Sequence, residues 1–170
     1  RACLEFGSTF RRTRGMYFSA DDVGHMQSMV WNWPQSDVRV IVVTDGSRIL
    51  GLGDLGVNGM GIPIGKLALY CAAGGIAPHR VMPVVLDVGT NNQAPPDSAA
   101  ATPHPNPTPH PNPTNPLPQL RPQPQALLDD PDYVGVRERR LEGAEYYDMV
   151  DELMEAVFER WPQVVVQFVG

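Results

Sequence analysis

Arg48 and Lys66 are the only cations in the stretch from Val42 to Tyr70, VVTDGSRILGLGDLGVNGMGIPIGKLALY, and glycines at 46, 51, 53, 56, 59, 61 and 65 surround them. Glycine removes the side chain and admits positive φ, so a backbone of this composition can approach a ligand closely. A guanidinium fork and an ammonium delivered to a glycine-lined cleft suit a small carboxylate or phosphate. Lys66 lies among Pro63, Ile64, Gly65, Leu67 and Leu69. Desolvation there would lower its pKa toward neutrality and equip it to take a proton. The plainer alternative for Lys66 is a snorkelling side chain whose stem covers apolar surface. For Arg48 it is a surface ion pair with Asp45 or Asp54. Asp45, Asp54 and Asp87 carry the right groups for a metal, but aspartates beside glycine more often close turns.

Two familiar phosphate motifs fail on context. Gly51, Gly53 and Gly56 spell GxGxxG, yet Asp45 to Leu50 separate them from the preceding strand and Asn58 to Ile62 delay the helix they should open. A P-loop fails because Met60 occupies its first glycine position and Leu67 follows the lysine where a serine or threonine is needed.

The elements that must position Arg48 and Lys66 read as parallel α/β units. Ser19 caps a helical pattern running through Met26, Met29, Val30 and Trp33 to Pro34. Val38 to Val43 reads as a strand, Ile64 to Ala73 as a helix closed by Gly74-Gly75, and Met82 to Val88 as a second strand. Strand, helix, strand is a right-handed crossover whose ligands bind beyond the carboxyl ends of the strands, where the Asp45 to Asn58 loop would lie. Gly143 to Trp161 is an amphipathic helix, with Tyr146, Met149, Val150, Leu153, Val157 and Trp161 on its apolar face. Val164 to Phe168 follows as a third strand, with Val164-Val165-Val166 reading as buried. Three strands with intervening helices make an α/β layer architecture.

The net charge of −6 argues against nucleic acid as a partner. Two basic clusters, Arg11, Arg12, Arg14 and Arg137, Arg139, Arg140, are interleaved with or followed by acids or apolar residues and read as solvated faces or subunit contacts. No apolar stretch is long enough to span a bilayer, and no signal-peptide pattern opens the chain. Cys3 and Cys71 are too few and too far apart for a disulfide framework or metal site and read as two buried reduced thiols.

From Gln93 to Gln125 the composition shifts abruptly: twelve of the eighteen prolines fall here, and TPHPNP occurs twice in tandem, at Thr102 and Thr108. Such proline density blocks helix and sheet and favours a polyproline II or disordered strand. His104 and His110 cannot share a zinc in that conformation, since six residues at 3.1 Å each separate them by about 19 Å. The segment reads as an insertion, either a natural low-complexity loop or a retained intron, and we favour the second.

The glycine-rich stretch resembles the signature of malic enzymes, which decarboxylate malate oxidatively to pyruvate with NAD or NADP and a divalent metal, Mg2+ or Mn2+. The resemblance extends to FRRTRGMYFSADDVGHM, PVVLDVGTNN, LLDDPDYVGVRERRLEGAEYYDMVDELMEAV and VVVQF, in that order. It implies an amino-terminal malic enzyme domain over residues 1–92, an insertion over 93–125, and the domain continued and truncated over 126–170. By this resemblance Lys66 matches the family's general base, Arg48 the arginine that pairs with a malate carboxylate, and Leu50 a residue lining the substrate pocket. The family's proton-donating tyrosine falls in a YTPTVG block before Arg1. The family also continues Gln-Phe with Glu-Asp, its first metal ligands, where this chain has Val169-Gly170.

With no initiator methionine, and its last residues following an apolar strand, the chain is expected to be a fragment, without sites for metal or dinucleotide and inactive alone. The resemblance further implies a homo-oligomer, in the cytosol or the mitochondrial matrix. The rival readings are a non-catalytic truncated module with a binding or subunit-association role, and a stand-alone phosphate-binding enzyme, which the failed P-loop disfavours.

Overall fold

The computed structural model describes residues 14–92 and 127–170. Four strands form one wholly parallel sheet in the order β1-β3-β2-β4: β1 (Met16–Ser19), β2 (Val40–Thr44), β3 (Val81–Asp87) and β4 (Val165–Phe168). β3 is central, pairing Val84 with Met16 on one side and with Val43 on the other, and Val40 of β2 pairs with Val165 of β4. Side chains alternate across the sheet. Ile41, Val43, Met82, Val84, Leu86 and Phe18 enter one core with α1 (Met26–Trp31) and α3 (Ala144–Arg160). Val85 and Tyr17 face the other way, into a smaller cluster with Val57, Met60, Leu127 and Tyr133. On that face α2 (Gly61–Gly74) packs against β2 and β3 and ends at Gly75, whose φ of 68° closes it with a left-handed cap. The expected α/β layers are therefore present, with helices on both faces of a parallel sheet.

Three expectations need correction. The sheet has four strands, not three: the four-residue segment MYFS is a strand because it pairs with β3, not because its short pattern announces one. The single helix from Ser19 to Trp33 is split into a 3-10 turn at Ala20–Asp22 and a short α1, broken at Gly24, where φ is 86°. The carboxylate of Glu152 on α3 accepts the Gly24 and Met26 amides there, so a neighbouring helix supplies the cap. Val164-Val165-Val166 is not a buried run either. Val164 is buried, but β4 is an edge strand and Val165 is 61% exposed. Cys71 is half-buried, while Cys3, His104, His110, Arg11 and Arg12 lie outside the described residues.

The flanks of the proline-rich segment meet. The Leu127 amide donates to the Asn92 carbonyl at 3.1 Å. Chain leaving at 92 returns to the same point at 127, so the core does not depend on what lies between. Closing a loop costs only about 0.6 kcal/mol per doubling of its length. Replacing residues 93–125 by a four-residue linker removes roughly three doublings. The shortened chain is expected to keep the fold and gain about 1–2 kcal/mol in a urea titration; loss of the cooperative transition would contradict this.

Candidate active site

The loop leaving β2 doubles back on itself. The Ile49 amide donates to the Gly53 carbonyl at 2.8 Å and the Leu55 amide to the Gly46 carbonyl at 2.9 Å, with Ile49 buried as the loop's apolar anchor. Gly46 makes this packing possible. Its φ is 69°, and a Cβ there would sit 2.0 Å from the Gly56 carbonyl oxygen. Asp45 and Asp54 each close a turn, accepting the amides of Ser47 and Gly56 respectively at 2.9 Å.

Arg140 binds both aspartates. Its Nη2 donates to Asp54 Oδ1 at 2.8 Å and its Nε to Asp54 Oδ2 at 3.3 Å, while Nη1 donates to the Asp45 carbonyl at 2.9 Å and lies 3.4 Å from Asp45 Oδ2. The side chain is only 9% exposed. This corrects the reading of Arg137, Arg139 and Arg140 as one solvated or intersubunit cluster. Arg140 alone departs from that reading: Arg137 and Arg139 are exposed, Arg137 donating to the neighbouring Pro131 and Tyr133 carbonyls. The backbone around Arg140 is held beside the end of β3 by Thr90 N–H to Glu138 O at 3.0 Å and Leu141 N–H to Val88 O at 2.8 Å. Gly89 permits that approach, since a Cβ on it would meet the Glu138 carbonyl oxygen at 2.6 Å.

Burial sets the titration of the acidic groups around the loop. Tyr133 accepts the Val57 amide on its hydroxyl at 3.2 Å, and its phenol is pushed up to about 12 chiefly by burial. Tyr146 is raised by burial and then by the Asp45 carboxylate it faces. Asp87, at the end of β3, accepts the Val136 amide at 2.7 Å and is raised by burial, partly offset by that hydrogen bond. All three hold structure together.

Arg48 and Lys66 lie at the same end of the sheet, the end at which the strands finish. Arg48 is exposed on the loop after β2, two residues beyond Gly46. Leu50 is 76% exposed with φ 50°, the single non-glycine residue at positive φ among the described residues. For a leucine that conformation is strained, a feature found where surrounding structure over-determines the backbone. Lys66 is half-buried in the second turn of α2. One turn further on, the Tyr70 hydroxyl donates to Gln167 of β4. Residues four apart share a helix face, so Lys66 lies one turn, about 6 Å, nearer the helix start on the face that carries Tyr70. Val169 continues beside Val43, and Gly170 lies against Asp45 and Thr44. Arg48 does not pair with Asp45 or Asp54, because Arg140 does. The dinucleotide-like glycines are absorbed into the same loop: Gly51 lies in a 3-10 turn, Gly53 and Gly56 have positive φ, and α2 begins only at Gly61.

The family model described as the malic enzyme N-terminal domain matches residues 1–99 and 117–169. The chain belongs to the malic enzyme family. It is 53% identical over 166 residues to the mitochondrial NAD-dependent malic enzyme 59 kDa isoform of Solanum tuberosum, a match covering 98% of this chain and 22% of that protein. It is 51% identical over 166 residues to the mitochondrial NAD-dependent malic enzyme 1 of Arabidopsis thaliana, again covering 98% and 22%. The NADP-dependent malic enzyme of Anas platyrhynchos is 46% identical over 160 residues, covering 94% of this chain and 23% of the duck protein. The chain thus spans about 22% of the length of the curated plant malic enzymes it matches. The family match is interrupted at 100–116, inside the proline-rich segment.

Two outcomes test how this malic enzyme segment is held. Gly46→Ala should cost more than about 2 kcal/mol, from the left-handed backbone alone plus the backbone clash, measured as a lower urea midpoint. Tyr133 titrates near 12 when folded and near 10 when unfolded. The stability its neutral form contributes is therefore complete below pH 10 and lost as pH rises through about 12. Tyr133→Phe should lose less stability than the parent between those pH values, and identical slopes would refute the assignment.

Proposed function

We propose that this chain is part of the amino-terminal domain of a malic enzyme that oxidises and decarboxylates malate to pyruvate and CO2. Arg48 orients a malate carboxylate, Leu50 lines the substrate pocket, and Lys66 takes the proton of the malate hydroxyl. The observation that carries this is the family match together with two cations at the strand ends whose neighbouring aspartates are held by another arginine. An arginine that pairs with neither neighbouring aspartate, on a glycine-rich loop, suits a carboxylate of a small dianion such as malate.

The described residues do not fit a metal or a dinucleotide. Among them no three His, Cys, Asp or Glu side chains converge. Asp45 and Asp54 are engaged by Arg140, and the glycines at 51, 53 and 56 open no helix. NAD or NADP and Mg2+ or Mn2+ would therefore be held by parts of the intact enzyme other than the described residues, and the segment is inactive alone. Residues 93–125 are an insertion within this domain. The intact enzyme works in the mitochondrial matrix, a reading supported by relatives whose names place them in mitochondria, and its assembly as a homo-oligomer rests on the family resemblance alone. Among the described residues no helix is long and apolar enough to cross a membrane.

Sequencing the full-length transcript past Gly170 and across residues 93–125 tests whether a nucleotide-binding domain continues the frame. In the full-length enzyme carrying this segment, Lys66→Ala should lower kcat by about 10²- to 10⁴-fold with a small change in KM for malate. Turnover within a few-fold of the parent would remove Lys66 from the proton-transfer role.

A further inference from the structure

We propose that Arg140 is a positioning residue for the substrate arginine: it sequesters the two aspartates that would otherwise capture Arg48. The inference rests on Arg48 binding malate. Arg48 stands between Asp45 and Asp54 in sequence, on a loop whose two ends are joined by one guanidinium. Arg140 takes Asp54 through a bidentate fork, the strongest geometry available to a carboxylate, and takes Asp45 through both its carbonyl and its carboxylate.

Two consequences follow from that arrangement. The loop is fixed at both ends around the buried Ile49, so Arg48 is presented from one backbone conformation. Arg140 also occupies both Asp54 oxygens and contacts Asp45 Oδ2, which leaves the Arg48 fork to a carboxylate of the substrate. Without Arg140, the two aspartates that flank Arg48 in sequence would be released to compete with that carboxylate as intramolecular partners. A ligand that must displace such a partner binds more weakly.

Asp54 makes this testable because its effect should change sign. With Arg140 present, Asp54 anchors the clamp, and Asp54→Asn should impair malate binding. Without Arg140, Asp54 becomes the competitor, and the same substitution should restore binding: the Asn oxygen can still accept the Gly56 amide, while the loss of the Asn91 amide's acceptor is common to both backgrounds. A purely structural role predicts the opposite, a further loss.

The experiment is steady-state kinetics with malate in the full-length enzyme carrying Arg48→Ala, Arg140→Ala, Arg140→Lys, Asp54→Asn and the combinations of each Arg140 variant with Asp54→Asn. Arg48→Ala should raise KM for malate; if it leaves KM unchanged, the reading of Arg48 itself falls. Given that rise, Arg140→Ala should raise KM by about 10- to 100-fold with kcat changed far less. Arg140→Lys, which keeps the charge but loses the fork, should fall between and carries the test if the alanine variant does not fold. Adding Asp54→Asn should then lower KM again. An unchanged KM in both Arg140 variants, or an Asp54→Asn substitution that deepens the defect, would overturn the inference while leaving Arg48 in place.

Discussion

One guanidinium holds the working end of this molecule together. Arg140 is nearly buried, and it joins the loop after β2 to the segment that leads into α3. A charge so placed is costly unless paired, and it is paired on every side, by two carboxylates and a main-chain carbonyl. The dependence runs both ways. Asp54 also accepts the Gly56 and Asn91 amides, and its own carbonyl accepts the Asn92 side chain. Removing Arg140 would strand the carboxylates it pairs, and removing Asp54 would strand the guanidinium and release the Gly56 and Asn91 amides, a loss of about 3 kcal/mol or more.

The sheet explains why that clamp is needed. Parallel strands deliver all their carboxyl ends to one edge, and the chain must leave each of them by a crossover. The crossover from β2 to α2 is long and glycine-rich, with little apolar surface of its own beyond Ile49, Leu55, Val57 and Met60. Glycine lets Gly46 and Gly56 lie in backbone contact, but it also gives the unfolded loop more freedom to lose. A loop of this composition is ordered by polar cross-links to its surroundings. Arg140, Tyr133 and Asn92 supply them, all from chain that follows β3. The loop after β2 is thus built by one crossover and fixed by the next.

This division governs what could be read from sequence. β2, α2, β3 and α3 were legible because each carries a period or a run with a cap: β-branched residues in Val40–Thr44, Gly74-Gly75 after α2, and an apolar stripe along α3. β1 was not, because four residues give no period and its strand state comes from pairing with β3. β4 misled in the other direction: three valines state hydrophobicity but not which side of the sheet is open, and Val165 faces out at an edge. The turn roles of Asp45 and Asp54 were legible from neighbouring glycine and serine. Their common partner was not. Arg140 lies in a run with Arg137 and Arg139 that reads as surface charge, and only the tertiary bonds of Thr90 and Leu141 bring it to a loop some ninety residues earlier. Arg48 and Lys66 stand out as the sole cations among many glycines, and the roles proposed for them come from family resemblance, not from spacing.

The proline-rich segment enters the chain between the two halves of the clamp. Asp54 and its partners Asn91 and Asn92 precede it, while Leu127, Tyr133 and Arg140 follow it. A segment of this length here could have separated the loop from its guanidinium. It does not, because the hydrogen bond from Leu127 to Asn92 rejoins the chain before any clamp residue is reached, and Tyr133 then re-enters the apolar cluster beside Val57 and Val85. The entropy of closing so long a loop grows only with the logarithm of its length, whereas the contacts that close it are the full set of native bonds on its far side. Position, not composition, decides what such a segment disturbs: placed a few residues later, between Tyr133 and Arg140, it would interrupt the Glu138 and Leu141 bonds that seat the guanidinium.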